Sequence, residues 1–255
     1  MPDSAQQPDG AVGLWVYAVV PEDSEVPGVT GVDDAPVRLV AHGSVAAAVS
    51  EVALDRPAGR RRELLAHTEV VNALADENAA VAPVQFGSIL LDEQEVVQSL
   101  LEPRHDEHVD VLSWLRNRRQ YNLRASYVGD VVLGEVVRDR PDVADLRART
   151  RELPEGSPHP DLIRLGQLVA SAMEGKREED AADLRREASA FAVADHARSV
   201  GDLDVLDLAL LVPHEQEEEL VARLETLAEA VHERMHLSLT GPMAPYDFVG
   251  RPAWA

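Results

Sequence analysis

Few residues in this sequence are suited to chemistry. The stretch RHDEHVD places His105 and His108 three positions apart among Asp106, Glu107 and Asp110. On a helix that spacing puts both imidazoles on one face, where they could converge on a cation. No third-ligand pattern accompanies them, and the same letters make an acidic, solvated helix start, so no metal is expected. Asp202, Asp204 and Asp207 in GDLDVLD lack the glycine and the bidentate glutamate of a calcium loop, and read as turn and edge residues. HGSVA around Ser44 matches a nucleophile elbow only in part, because the second glycine is missing. His67 falls on the apolar stripe of a helix; it is expected to be a core histidine donating to a nearby carbonyl, with a catalytic role as the alternative. The glycine-rich dinucleotide fingerprint, the phosphate-binding loop and the G-x-S-x-G elbow do not occur. No catalytic residue, cofactor or metal is assigned.

Composition narrows the classes further. The 255 residues suffice for two ordinary domains. Aromatics make up only 4% against 45% apolar residues, so Ala, Val and Leu must fill the cores. The net charge of -22 repels phosphate backbones and anionic lipid headgroups, and neither nucleic acid nor membrane is expected as a partner. Lys176 is the only lysine. Without cysteine there is no disulfide framework, thiolate nucleophile or sulfur-ligated metal. Residues 1–12 read as a disordered leader and not as a signal peptide, and no apolar run is long enough for a membrane span. The chain is expected to be soluble and cytoplasmic.

The elements that must position these residues divide at the polar cluster Asn117–Gln120. The first domain, 13–118, opens on an apolar strand, Gly13–Val20, of the kind buried on both faces. Val37–Ala41 and Val45–Val52 form a hairpin around His42-Gly43-Ser44. A helix over 59–80 turns Leu64, His67, Val71 and Leu74 to one side. VAPVQFGSIL, Val81–Leu90, is strand-like and interrupted by Pro83 and Gly87. Asp92 caps a helix reaching Leu101, and a helix over 106–117 directs Val109, Leu112 and Trp114 or Leu115 inward. The second domain, 119–255, begins with a strand at Tyr121–Val128. A long helical insertion over 130–199 follows, broken at 153–160, with EGKREEDAADLRRE as a solvated helix or hairpin tip. A strand at Val205–Pro213, a helix from His214 with Leu220, Leu224, Leu227 and Val231 in one stripe, and a strand at His236–Thr240 complete it. This order suggests an α+β protein whose second domain is an elaborated ferredoxin-like unit ending in the tail 241–255.

Three segments, LWVYAVV, HTEVVNALADENAAVAPVQFGSIL and LTGPMAPYDFV, resemble the gas vesicle accessory proteins of the GvpF/GvpL family, in the family's order and across nearly the whole chain. The shared pattern falls on Tyr17, His67, Pro83, Phe86 and Gly87, and on Thr240, Gly241, Pro242, Pro245, Tyr246, Phe248 and Val249. Met243 stands where the family often has an aromatic, Gln85 where it has Arg, and Gln120 where a Glu is common. The resemblance implies a distinctive N-terminal α+β domain, a modified ferredoxin-like C-terminal domain, and a non-catalytic part in gas vesicle assembly through the hydrophobic shell protein GvpA and other accessory proteins, in the cytoplasm and at the vesicle. It implies no cofactor.

Two questions remain for the structure. Gly241 and Pro242 are expected to turn the chain so that Tyr246 and Phe248 drop into a groove as a structural clasp, with a shell-protein contact as the alternative. Val45–Val52, as a hairpin edge, and VAPVQFGSIL are candidate docking surfaces. A small-molecule-binding regulator or hydrolase with a pocket near His67 and Gln85 is the competing function.

Overall fold

A computed structural model describes residues 11–54, 61–152, 159–201 and 203–250. They form two compact units, Met1–Gln120 with Pro242–Ala255, and Tyr121–Gly241. The sequence reading kept the tail with the second domain; the structure gives it to the first unit, whose core includes buried Ala244.

The first unit is built on a sheet ordered β2 (Arg38–His42), β3 (Val45–Ala53), β1 (Val12–Pro21), β4 (Ala82–Pro83), with β5 (Ile89–Leu90) also on β1. Helix α1 (Arg61–Glu77) packs on β1; Val70, Val71 and Leu74 meet Trp15, Tyr17, Ala18 and Val20. The alternate residues Leu14, Val16 and Val19 are buried too. A strand covered on both faces cannot alternate with polar residues, which is why LWVYAVV is continuously apolar. The capped turn α2 (Glu93–Glu95) continues as a π-helical segment, Val96–Leu101, against β2 and β3, and α3 (His105–Leu115) packs on β1, β3 and β4. Asp92 caps α2 as expected, accepting from the Glu95 amide at 2.8 Å. Pro83, which has no N–H to give a ladder, sits in the two-residue edge strand β4 opposite Ala18.

Two helix faces differ from expectation. In α1 the buried set is Glu63, His67, Val70, Val71, Leu74 and Ala75, leaving Leu64 exposed. In α3, Leu112 and Leu115 are buried while Val109 is exposed.

In the second unit the sheet order is β7 (Ala194–Ala197), β8 (Asp204–Pro213), β6 (Arg118–Tyr127), β9 (Met235–Met243). Numbered within the unit this is 2-3-1-4, the strand order of a ferredoxin-like sheet. Helices α4 (Gly129–Asp139), α5 (Pro141–Thr150) and α6 (Pro160–Ser189) form the crossover, α6 lying on β8, and α7 (Glu217–Val231) leads into β9. EGKREEDAADLRRE lies inside the unbroken α6 and is not a hairpin tip; Leu184 within it is buried. Strand β7 was expected to be helix. It is a short, charged edge strand, and such edges carry no apolar alternation to read.

A charge network ties this crossover together. Arg234 donates to both Asp180 oxygens, at 2.8 and 2.6 Å, and to both Glu135 oxygens at 2.9 Å. Lys176 bridges Glu135 and Asp139, and the Tyr127 hydroxyl donates to Asp180. Burial opposes the Asp180 charge, yet Arg234 and Tyr127 hold its carboxyl below the ordinary carboxylate range. Removing one member leaves a desolvated charge without its partner. Asp180→Asn is therefore expected to cost about 2 kcal/mol in urea denaturation, with most of the loss in the second unit.

Candidate functional site

The family-pattern residues of the first half gather around one buried aromatic cluster. Trp15 and Tyr17 lie in β1, His67 in α1 and Phe86 between β4 and β5. The Trp15 indole donates to His67 Nδ1 at 3.0 Å. Phe86 meets the rings of Trp15 and His67 edge-on, at centroid distances of 5.4 and 5.5 Å. Tyr17 is the extra residue of a β-bulge, since Val16 pairs with Val49 and Ala18 with Ala48. The bulge re-aims its side chain: its hydroxyl accepts from the Val32 amide at 2.7 Å and shares a 2.7 Å hydrogen bond with Ser50. Gly31 makes room for this, as a Cβ there would stand 2.2 Å from the Tyr17 oxygen. Gly87 adopts φ +86°, a region glycine enters without strain.

Because Nδ1 accepts, the neutral His67 ring carries its proton on Nε2, which is buried and makes no hydrogen bond of good geometry. Acceptance from Trp15 was not foreseen; the expected donation to a carbonyl survives only as a weak interaction with the Val84 backbone. Burial lowers the His67 pKa to about 4, against a weaker opposing effect of the Val84 backbone. At 1% exposure no substrate reaches this ring, and Gln85 lies on the exposed side of the segment.

The family-pattern residues of the second half flank Ala244, which bonds helix α1. Strand β9 runs straight through Gly241 and Pro242 to Met243, so the expected turn at Gly241-Pro242 is absent. The chain leaves the strand at Ala244, whose amide donates to Asn72 Oδ1 of α1 at 3.1 Å, and forms a short 3-10 turn at Tyr246–Phe248. Ala244, Pro245 and Phe248 are buried; Tyr246 is partly covered, 39% exposed yet with burial pushing its phenol up to about 12. Thr240 is exposed and Val249 half-buried. The Asp247 amide donates to Gln120 Oε1 at 3.0 Å, while Gln120 Nε2 donates to the Asp247 carboxylate. A glutamate at position 120 would set two carboxylates against each other here. Gln120→Glu should cost about 2 kcal/mol at pH 7. Its carboxyl pKa is raised in the folded state, so the deficit should shrink as pH falls towards 4, as urea titrations at several pH values would show.

Among the described residues one group of the chemical candidates meets and the others lie apart. His105 meets Ser44, with Ser44 Oγ 3.3 Å from Nε2 and Asp106 Oδ1 3.2 Å from Nδ1. This is the order of a serine triad, but Asp106 is fully exposed, and the Ser44 amide also donates to Nε2 at 3.4 Å. The ring thus caps the β2–β3 turn, where Gly43 adopts φ +60°. His108 turns away to the Leu100 carbonyl at 3.0 Å. Asp204 accepts from the Gly201 amide, and Asp207 is paired with Arg124 and Arg198; Asp202 lies outside the described residues. Sequence reasoning missed an H-E-x-x-H pattern at His232–His236. The motif needs both histidines on one helix face. Here α7 ends at Val231, His232 bonds the Glu229 carbonyl and His236 lies in β9. Among the described residues no group of three or more His, Asp or Glu side chains could hold a metal.

With this geometry in place, the comparisons are decisive about family. The family model described as "Gas vesicle synthesis protein GvpL/GvpF" matches residues 13–250. The chain belongs to the GvpL/GvpF family. Among relatives, it is 30% identical over 243 residues to gas vesicle protein F of Streptomyces sp. (strain CB03234), covering 93% of this chain and 100% of that protein. It is 25% identical to gas vesicle protein L1 of Halobacterium salinarum (strain ATCC 700922 / JCM 11081 / NRC-1), covering 92% and 90%. The crystal structure of the gas vesicle protein GvpF from Anabaena sp. PCC7120 superposes with a TM-score of 0.81 at 21% identity, over 94% of this chain and 99% of that one. As a GvpL/GvpF member the chain has a role in gas vesicle biogenesis, on a mixed α+β fold with two antiparallel sheets. Among the described residues no helix is long and apolar enough to cross a membrane.

Proposed function

We propose that this chain is a non-catalytic accessory protein of gas vesicle assembly, acting in the cytoplasm and at the vesicle. It binds the hydrophobic shell protein GvpA together with other accessory proteins, assisting nucleation or shell formation. In this reading the family-pattern residues maintain the fold: Tyr17, His67, Pro83, Phe86 and Phe248 build and close the first unit's core, and Gly87 supplies a backbone turn.

The observation that carries the reading is an exposed apolar end of the first sheet on a highly acidic molecule. Val12 pairs with Ala53 beside Leu54, and Leu14 pairs with Leu90 beside Leu91. Val12, Leu54 and Leu91 are 52, 38 and 62% exposed. Such a patch suits an apolar partner, while the surrounding charge keeps a complex dispersed. Over Val45–Val49 the hairpin edge is not available for strand addition, because β3 is paired there with both β1 and β2.

Co-expression with GvpA, followed by affinity capture and a solubility assay, tests the proposal against an unrelated acidic protein of similar size. Specific capture that falls in Leu54→Asp and Leu91→Asp variants of unchanged melting temperature is the expected result. Failure of the wild type both to capture GvpA and to keep it dispersed would overturn direct handling of the shell protein.

A further inference from the structure

Among the described residues β2 is one edge of the first sheet, and a groove of about 590 Å³ runs along it. All five residues of the strand, Arg38 to His42, line one side. Glu93, Gln94, Val97, Gln98 and Glu102, from α2 and the π-helical segment onward, line the other. The β2–β3 turn has two residues, Gly43 and Ser44, and is closed by the pair His42–Val45. In such a hairpin the closing pair exchanges both hydrogen bonds, and bonded pairs alternate from there. Arg38, Val40 and His42 therefore bond inward to β3. Leu39 and Ala41 turn their N–H and C=O groups outward into the groove, and Ala41 is exposed.

We propose that this groove binds an extended, basic segment of a partner protein, which adds a strand to β2. The backbone row dictates the conformation of the occupant, since unpaired edge groups are satisfied by a chain in β geometry. The opposite wall dictates its charge. Glu102 and the amides of Gln94 and Gln98 accept from Lys or Arg side chains, and Val97 gives an apolar contact. Arg38 meets Glu93 at 2.7 Å, but both side chains are well exposed and this pair rearranges at little cost. A second copy of this chain is a poor occupant, because edge-to-edge pairing would bring Glu93 and Glu102 of both copies together on molecules of net charge -22. This surface is separate from the apolar sheet end assigned to the shell protein, and the two proposals fail independently.

The test is calorimetric titration of the full chain with a nine-residue peptide alternating valine and arginine. Two controls accompany it: the same peptide N-methylated on the amides of one edge or of the other, and a peptide with glutamate for arginine. Saturable binding of the basic peptide is expected, retained by one N-methylated form, at least tenfold weaker for the other, and lost for the acidic peptide. Ala41→Pro, which removes an outward N–H, should weaken binding at least tenfold without lowering the melting temperature, and Glu102→Gln should weaken it several-fold. If Ala41→Pro fails to fold, the N-methylated peptide still decides. No binding of the basic peptide, equal binding of N-methylated forms, or preference for the acidic peptide would each overturn the proposal.

Discussion

Phe248→Ala should cost about 3–4 kcal/mol, and ending the chain after Gly241 should cost more. The ring is 6% exposed in the first unit, and truncating a buried phenylalanine forfeits its transfer energy and leaves a cavity. Ending the chain at Gly241 also removes buried Ala244 and Pro245, the Asn72 bond and both Gln120–Asp247 bonds. Each neutral hydrogen bond adds about 1 kcal/mol, and Gln120, 1% exposed, would lose two of its bonds. The loss should be read by amide hydrogen exchange, where Val70–Leu74 of α1 should accelerate far more than the β8 amides. Tyr246→Ala, at a partly covered ring, should cost clearly less. Equal effects at positions 246 and 248 would mean that the tail's burial has been misassigned.

Acidification should weaken the same unit through His67. Its unfolded pKa is near 6.5 and its folded pKa is about 4. Between those values the unfolded state binds more protons, so stability falls as pH drops through this window and levels off below it. A difference of that size corresponds to about 3 kcal/mol. The physical event is protonation of Nδ1, which ends acceptance from the Trp15 indole and places a charge among the rings of Trp15, Tyr17 and Phe86. His67→Leu should remove this component from urea titrations between pH 6.5 and 4, leaving the carboxylate contribution. A variant with the same pH slope as the wild type would contradict a buried, neutral His67.

Much of this was legible in the sequence, and what was not has identifiable causes. Strand β1 announces itself because burial on both faces forces a continuous apolar run. Asp92 marks a helix start through capping and sits where that rule places it. The stripe on α1 was rotated because Glu63, a charged residue, is buried while Leu64 is not. The role of Tyr17 depends on a bulge, and a bulge is a property of two strands in register that neither shows alone. The tail's destination was hidden likewise: Asn72 and Gln120 are distant in sequence, and nothing local says that Asp247 completes Gln120. The meeting of Ser44 with His105 was equally invisible, each having been weighed alone.

The most direct measurement of the central claim, that this chain works by binding and not by catalysis, is gas vesicle formation in a host lacking its own GvpL/GvpF-family proteins. The host would be supplied with the wild-type chain or with a Ser44→Ala, His105→Ala double variant, and vesicles scored by electron microscopy and by turbidity lost on pressure collapse. The account predicts that both chains restore vesicles to the same level. Restoration by the wild type alone, with the variant folded and equally abundant, would contradict it and assign chemistry to the Ser44–His105 pair.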